Sequence, residues 1–236
     1  MKICILNIAT NKYIQFVEQL LESVEENFLN EHDISALVFT NHEMEETSDN
    51  VKISQIEHEP WPIPTLKRYH YFVKEKEYLS QFDYIYYMDV DMRIEGKVGD
   101  EIFSDLVATQ HPGFWWKNKA EYSYERRPES TAFIPYEKGE MYYAGGFNGG
   151  KPEHFLKMAQ TIVDNVEKDF EKGLIAVWHD ESHMNRYLLD NPPTLALNPS
   201  YCYPENVRVN PHAWHVPFEA KIVALDKNHA EVRSES

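Results

Sequence analysis

The chain has 236 residues, 42% of them hydrophobic and 14% aromatic, enough to bury one sizeable core and in keeping with a single catalytic-size domain. Acidic residues outnumber basic ones 39 to 23, a formal net charge of -16, which argues against a nucleic-acid backbone or an anionic membrane surface as partner. The apolar start Ile3 to Leu6 is too short for a membrane span and lacks the features of a signal peptide, and Cys4 and Cys202 make neither a disulfide framework nor a zinc site, so a cytoplasmic protein with two unreactive thiols is expected.

Lys2 to Ile8 reads as a buried strand, followed by a helix in which Tyr13, Phe16, Val17, Leu20, Val24 and Phe28 recur every three or four positions. Ile34 to Phe39 and Val51 to Ile56 read as the second and third strands, separated by an acidic turn from His42 to Asn50. The prolines of Trp61-Pro62-Ile63-Pro64 forbid regular structure, and Thr65 then caps a helix through Leu66, Tyr69, Phe72, Val73 and Tyr78 to about Gln81. A strand of aromatic and apolar residues, Tyr84 to Met88, follows and ends in Asp89-Val90-Asp91. Strands alternating with helices in this order are those of a nucleotide-binding α/β half, although neither GxGxxG nor a P-loop lies in it.

Beyond that point the texture changes. Phe114 to Pro135 is aromatic and basic without a period and reads as a long functional loop. Tyr142 to Gly150 holds four of the nine glycines, which permit close backbone approach, and a helix from about Glu153 to Phe170 comes next. Ile175 to His183 passes from an apolar strand end into a polar cluster and then a helix through Met184, Tyr187 and Leu188. Ala220 to Lys227 reads as a last strand before a basic and polar terminus, with no repeat and no second domain boundary along the way.

Asp89-Val90-Asp91 carries the chemistry. Two carboxylates one residue apart at the end of a buried strand present hard oxygen ligands to a divalent cation, which in turn clamps a diphosphate; the alternative is a solvated turn, at an unexplained cost in like-charge repulsion. His179 and His183, four apart, would make a zinc pair only weakly, because His-Asp-Glu-Ser-His lacks the His-Glu-x-x-His order.

Taken together, Asp89-Val90-Asp91, His111-Pro112-Gly113-Phe114, Tyr122-Ser123-Tyr124-Glu125-Arg126-Arg127, Tyr142 to Gly150 and Trp178-His179-Asp180-Glu181-Ser182-His183 resemble family 6 glycosyltransferases, which include the ABO blood-group transferases and α-1,3-galactosyltransferase. The likeness runs in matching order from about Ile8 to Arg233. It implies one GT-A domain with a Rossmann-like, mixed central sheet, about 1–91 being the UDP-binding half and about 92–236 the acceptor-binding half with a basic C-terminal tail. It also implies a retaining mechanism, a UDP-sugar donor and a β-galactoside acceptor, often fucosylated.

Residue by residue, the resemblance sets Ala9 and Tyr13 at the uracil and ribose and Arg68 at a basic donor-site contact. Asp89 and Asp91 match the pair that holds manganese, or another divalent cation, across the UDP diphosphate, with Val90, Gly145 and Asp180 in the same donor site. Bacterial members of similar length carry Asn-x-Asn there and work without metal, so the acidic pair implies metal dependence. Glu181 matches the carboxylate under the reacting carbon, as nucleophile or as stabiliser of an oxocarbenium-like transition state. On residue type alone, Asp180 and Glu181 would also suit the first turn of a helix.

His111, Ser123, Trp178 and Glu181 match acceptor contacts, and Glu205 stands for a further acidic one. Ala144 and Gly146 match the positions that sort donor sugars, and their small size favours UDP-N-acetylgalactosamine over UDP-galactose. Lys227 and Arg233 match a tail that folds over the diphosphate. The animal enzymes' membrane anchor and stem are missing, which suggests a bacterial or viral type. Two other readings compete: a UDP-sugar hydrolase, which would share every donor-site residue, and a carbohydrate-binding protein on a degenerate scaffold, which would be expected to lose Asp89, Asp91 or Glu181.

Overall fold

The computed structural model describes residues 1–44, 49–208 and 216–233; Glu45 to Ser48 of the expected acidic turn lie outside them. Strand β1 (Lys2–Ile8) leads through a 3-10 turn, Asn11–Phe16, into helix α1 (Val17–Asn27), so the expected first helix begins a turn later than its apolar period suggests. β2 (Asp33–Thr40) and β3 (Val51–Gln55) follow.

The helix expected from Thr65 to Gln81 is instead three short ones, α2 (Ile63–Leu66), α3 (Arg68–Lys74) and α4 (Lys76–Leu79). Thr65 is not the cap: Pro62 stands at that position and Pro64 in the first turn, where a missing N–H breaks no intrahelical bond. β4 (Tyr84–Met88) and β5 (Met92–Ile94) flank the acidic pair, and β6 (Leu106–Gln110) precedes the long irregular stretch, which holds only a 3-10 turn at Lys119–Glu121.

The glycine-rich segment is a full strand, β7 (Tyr143–Gly150), followed by α5 (Pro152–Glu171), α6 (His179–Asp190), β8 (Leu195–Leu197), β9 (Tyr203–Pro204), β10 (Ile222–Ala224) and α7 (His229–Val232). Ile175 and Val177 are not in a strand. They are 39% and 48% exposed, and side chains tie down their backbone: Arg127 donates to the Ile175 carbonyl at 2.5 Å, and the Val177 N–H donates to Glu125 at 2.8 Å.

Seven strands form one mixed sheet in the order β3-β2-β1-β4-β7-β6-β8. All neighbouring pairs are parallel except those of β7, which runs against both β4 and β6. The last strand, β10, joins β5 and β9 in a small separate sheet. Period-two alternation divides the core between the faces of the large sheet. Ile3, Ile5, Val38 and Tyr86 pack with Leu20 and Val24 of α1 and with Phe28 just after it, while Cys4, Leu6, Leu37 and Tyr87 pack with Tyr69, Phe72, Phe155 and Met184 of α3, α5 and α6. No helix among the described residues is long and apolar enough to cross a membrane.

The chain moves outward from β1 to β2 and β3, then returns to lay β4 on the other side of β1. A crevice therefore opens beyond the carboxyl ends of β1 and β4, where open α/β sheets bind their ligands. β7 can sit in mid-sheet because its glycines admit the crowded β4. A Cβ on Gly149 would lie 2.3 Å from the Ile85 carbonyl oxygen and 2.5 Å from the Tyr86 ring. Gly149→Ala is expected to lower stability by about 1–3 kcal/mol, with Tm falling by roughly 2–10 °C in a thermal melt followed by circular dichroism. An unchanged Tm would show that β4 and β7 are not so closely apposed.

Candidate active site

The crevice is a cavity of about 330 Å³ with Thr10, Asn11 and Tyr13 on the β1 side and Asp89, Val90 and Asp91 on the β4 side. Ala144, Gly146 and Glu181 lie at its floor. At its centre stands Arg68, the first residue of α3 and only 6% exposed. Its Nη2 donates to Asp89 Oδ1 at 3.0 Å, and its Nη1 donates to the Gly145 carbonyl at 2.8 Å and lies 3.1 Å from Asp180 Oδ2. The guanidinium also rests over the Tyr87 ring at 4.1 Å. Burial works against its charge, but Asp180, Tyr87 and Asp89 outweigh it and hold Arg68 above the ordinary arginine range.

Helix α6 begins abruptly. His179 takes a left-handed conformation, φ 52°, an uncommon one for a residue with a side chain, and its ring lies 5.0 Å from that of Trp61. The turn delivers Asp180 and Glu181 into the first turn of the helix, where free N–H groups favour acid. Glu181 is gripped at both oxygens: the Tyr142 hydroxyl donates to Oε1 at 2.7 Å and the Gly145 N–H to Oε2 at 2.8 Å. Burial pushes its carboxyl up to about 7 against those two bonds. Burial likewise raises Asp180, 2% exposed, and Arg68 opposes the rise. One turn on, the Asn185 amide donates to the Tyr143 carbonyl at 2.8 Å and accepts its N–H at 2.9 Å, locking α6 to β7.

The acidic pair divides its partners. Asp89 accepts from Arg68 and from the Tyr87 hydroxyl, and its N–H donates to the Gly146 carbonyl at 2.9 Å. Asp91, 8% exposed, is ion-paired with Lys227, and its carbonyl accepts the Leu225 N–H at 3.0 Å. The tail runs on over the cleft until the Arg233 guanidinium lies 4.5 Å from the centre of the Trp61 ring.

Residues 1–234 match the sequence model of glycosyltransferase family 6. The chain belongs to that family. Its relatives include histo-blood group ABO system transferase 1 of Rattus norvegicus, 33% identical over 96% of this chain and 67% of the relative. Another is the O-antigen biosynthesis glycosyltransferase WbnI of Escherichia coli, 33% identical over 96% of this chain and 95% of that enzyme. Globoside α-1,3-N-acetylgalactosaminyltransferase 1 of Gallus gallus is 28% identical over 96% and 67% of the two chains. As a family 6 member it is a hexosyltransferase related to the ABO and globoside enzymes.

Most of the residues that the family resemblance singles out meet in this one cleft: Tyr13, Arg68, Asp89, Val90, Asp91, His111, Ala144, Gly146, Glu181, Lys227 and Arg233 line it. Gly145 joins them through backbone bonds to Arg68 and Glu181, and Asp180 through Arg68. Ala9 is fully buried beside it, its N–H and carbonyl tied to Phe39 and Thr40 of β2. Burial takes His111 down to about 4, so it is neutral near pH 7, and Nδ1 accepts the Gly113 N–H, which leaves the proton on Nε2.

Three acceptor-side residues stand apart. Ser123 meets the site through its carbonyl, 3.5 Å from the Tyr142 hydroxyl, and Trp178 stands 49% exposed at the head of α6. Glu205 turns to Arg93 at 3.3 Å and to the Asp226 N–H at 2.9 Å, bracing the small sheet. His183 is buried with Asp169 at 3.9 Å, while His179 stands at the head of α6 with its ring against Trp61. Sequence reasoning did not assign Tyr142 or Tyr87, whose hydroxyls bind the two key carboxylates. Cys202, a thiol raised by burial, also lines the cleft. Only position within a motif could have signalled the tyrosines.

Glu181 links this geometry to pH. Its unfolded carboxyl ionises near 4.5 and its folded one near 7, so between those values the folded protein keeps a proton that the unfolded chain has released, and stability falls as pH rises. Glu181→Gln removes that titration. Its Tm relative to the parent protein is expected to rise steadily from about pH 5 to about pH 8 in fluorimetric melts. A pH-independent difference would mean that the Glu181 carboxyl is not displaced.

Proposed function

We propose that this chain is a metal-dependent, retaining transferase that moves N-acetylgalactosamine, or else galactose, from UDP to the 3-position of a β-galactoside in α-linkage, preferably one fucosylated at the 2′ position. The observation that carries the reading is the Glu181 carboxylate, fixed by two donors on the floor of the same cleft that holds Arg68 and the Asp89-Val90-Asp91 pair. A retaining transfer needs a carboxylate close to the reacting sugar carbon, either to bond to it or to balance its developing positive charge. Immobilised Glu181 suits both roles.

Asp89 and Asp91 fit a divalent cation shared with substrate. They are two hard oxygen donors with no third ligand group among the described residues, and a cation held by one or two carboxylates completes its shell with phosphate oxygens and water. Asp91 already attracts a cation, the Lys227 ammonium. When bound, the metal would supply Lewis-acid stabilisation of the departing diphosphate. Arg68 orients Asp89, while Lys227 and Arg233 bring positive charge to an otherwise acidic protein at the place where UDP would leave.

The small residues Ala144 and Gly146 support N-acetylgalactosamine as the donor sugar, and the α-1,3-N-acetylgalactosaminyl activity named for the chicken relative supports the linkage. His111, neutral near pH 7, lines the cleft on the acceptor side, and the exposed Trp178 ring offers a plane for the apolar face of galactose.

The test is incubation with UDP-N-acetylgalactosamine or UDP-galactose, with and without 2′-fucosyllactose, in manganese or EDTA, following UDP and sugar product together. Acceptor-dependent extension that EDTA stops is the expected result. Asp91→Asn should reduce kcat by about 100-fold or more with an unchanged circular dichroism spectrum, the scale of losing one transition-state electrostatic contact. UDP release indifferent to acceptor would replace the transferase with a hydrolase, and silence with both donors would reopen the binding-protein reading.

A further inference from the structure

The geometry points to Tyr142 as a positioning residue for the transfer: its phenol fixes the Glu181 carboxylate in the reacting alignment and ties it to the segments that carry the acceptor-side residues. The inference rests on the reading of Glu181 given above. The Tyr142 hydroxyl lies 2.7 Å from Glu181 Oε1 and 3.5 Å from the Ser123 carbonyl, and the Tyr142 carbonyl accepts the His111 N–H at 2.9 Å. One side chain and its own backbone thus touch the carboxylate and both acceptor-side segments.

Tyr142 is itself immobile. It is 1% exposed, and its ring is held by Phe114 at 4.6 Å, Tyr124 at 5.2 Å and His111 at 5.6 Å between centroids. Three residues on, the Gly145 N–H grips the other carboxylate oxygen, and Asn185 fixes the intervening strand to α6. A carboxylate bonded at both oxygens by two donors three residues apart, one just before β7 and one within it, is held in one orientation, and that is the preorganisation that transition-state stabilisation requires. A phenol donating to a carboxylate also favours its ionised form, the only form able to bond to or balance an electron-poor carbon.

Tyr142→Phe keeps the ring and its packing and removes only the donor. The other charged groups that reach Glu181, namely Arg68 from α3, Asp89 beyond β4 and Asp180 beside it, remain in the variant. The expected outcome is a kcat reduced about 10- to 100-fold, a KM for UDP-sugar within about twofold of the parent, and an acid limb of the kcat–pH profile moved to higher pH. A kcat within about twofold and an unmoved acid limb would overturn the proposal. So would a loss of kcat accompanied by an equal loss of donor binding and of Tm with the limb in place, because that pattern belongs to packing alone. Glu181→Gln, measured in parallel, separates the two failures: full activity in that variant removes the reading of Glu181, whereas an inactive Glu181→Gln beside a fully active Tyr142→Phe removes only the role of Tyr142.

Discussion

Everything in the cleft depends on one buried cation. Arg68 ties together the start of α3, the carboxyl end of β4, the middle of β7 and the first turn of α6, through Asp89, the Gly145 carbonyl and Asp180. A guanidinium presents several donors in a fixed plane, so three acceptors from three elements are oriented at once. The arrangement is stable only when complete, since removing one partner of a buried ion pair leaves an uncompensated charge at a penalty of about 3–5 kcal/mol. It also lets two acidic side chains share a small space with Glu181, because like charges crowd there only around a cation.

Strand β7 is the second organiser. It is the one antiparallel member of the seven-stranded sheet, and its glycines let it lie against the aromatic β4. The same absence of side chains exposes backbone to the site: Gly145 donates its N–H to Glu181 and accepts from Arg68 with its carbonyl. Tyr142, just before the strand, adds the second donor to Glu181. One short segment thereby shapes the floor of the cleft, holds its central carboxylate and supports its cation.

Net charge and local charge point in opposite directions in this protein. A chain carrying -16 overall nevertheless gathers Arg68, Lys227 and Arg233 around one cavity. The tail residues reach it from the far end of the chain because β10 pairs with β5, directly after the acidic pair, and the Leu225 N–H closes on the Asp91 carbonyl. The local field, and not the total charge, sets which ligand a cleft attracts.

The amino-acid sequence by itself determined the first strand, the following strands and the apolar run into Asp89 and Asp91, since buried strands and amphipathic helices leave periodic signatures that need no partner to be read. Most of the residues that its ordered motifs marked line the cleft. It hid β7, because glycine is a poor strand former unless a neighbour demands close approach, and it blurred the helices after Trp61, where prolines at a helix start resemble prolines that forbid one. Only the tertiary structure decided that Tyr142 grips Glu181, that Tyr87 and Arg68 share Asp89, that Lys227 meets Asp91 and that Glu205 braces the small sheet instead of facing the cleft. Apart from the Tyr87–Asp89 bond, those contacts join residues between 21 and 136 positions apart, and hydrogen bonds and ion pairs over such separations are set by how strands order themselves in a sheet, which no local pattern records.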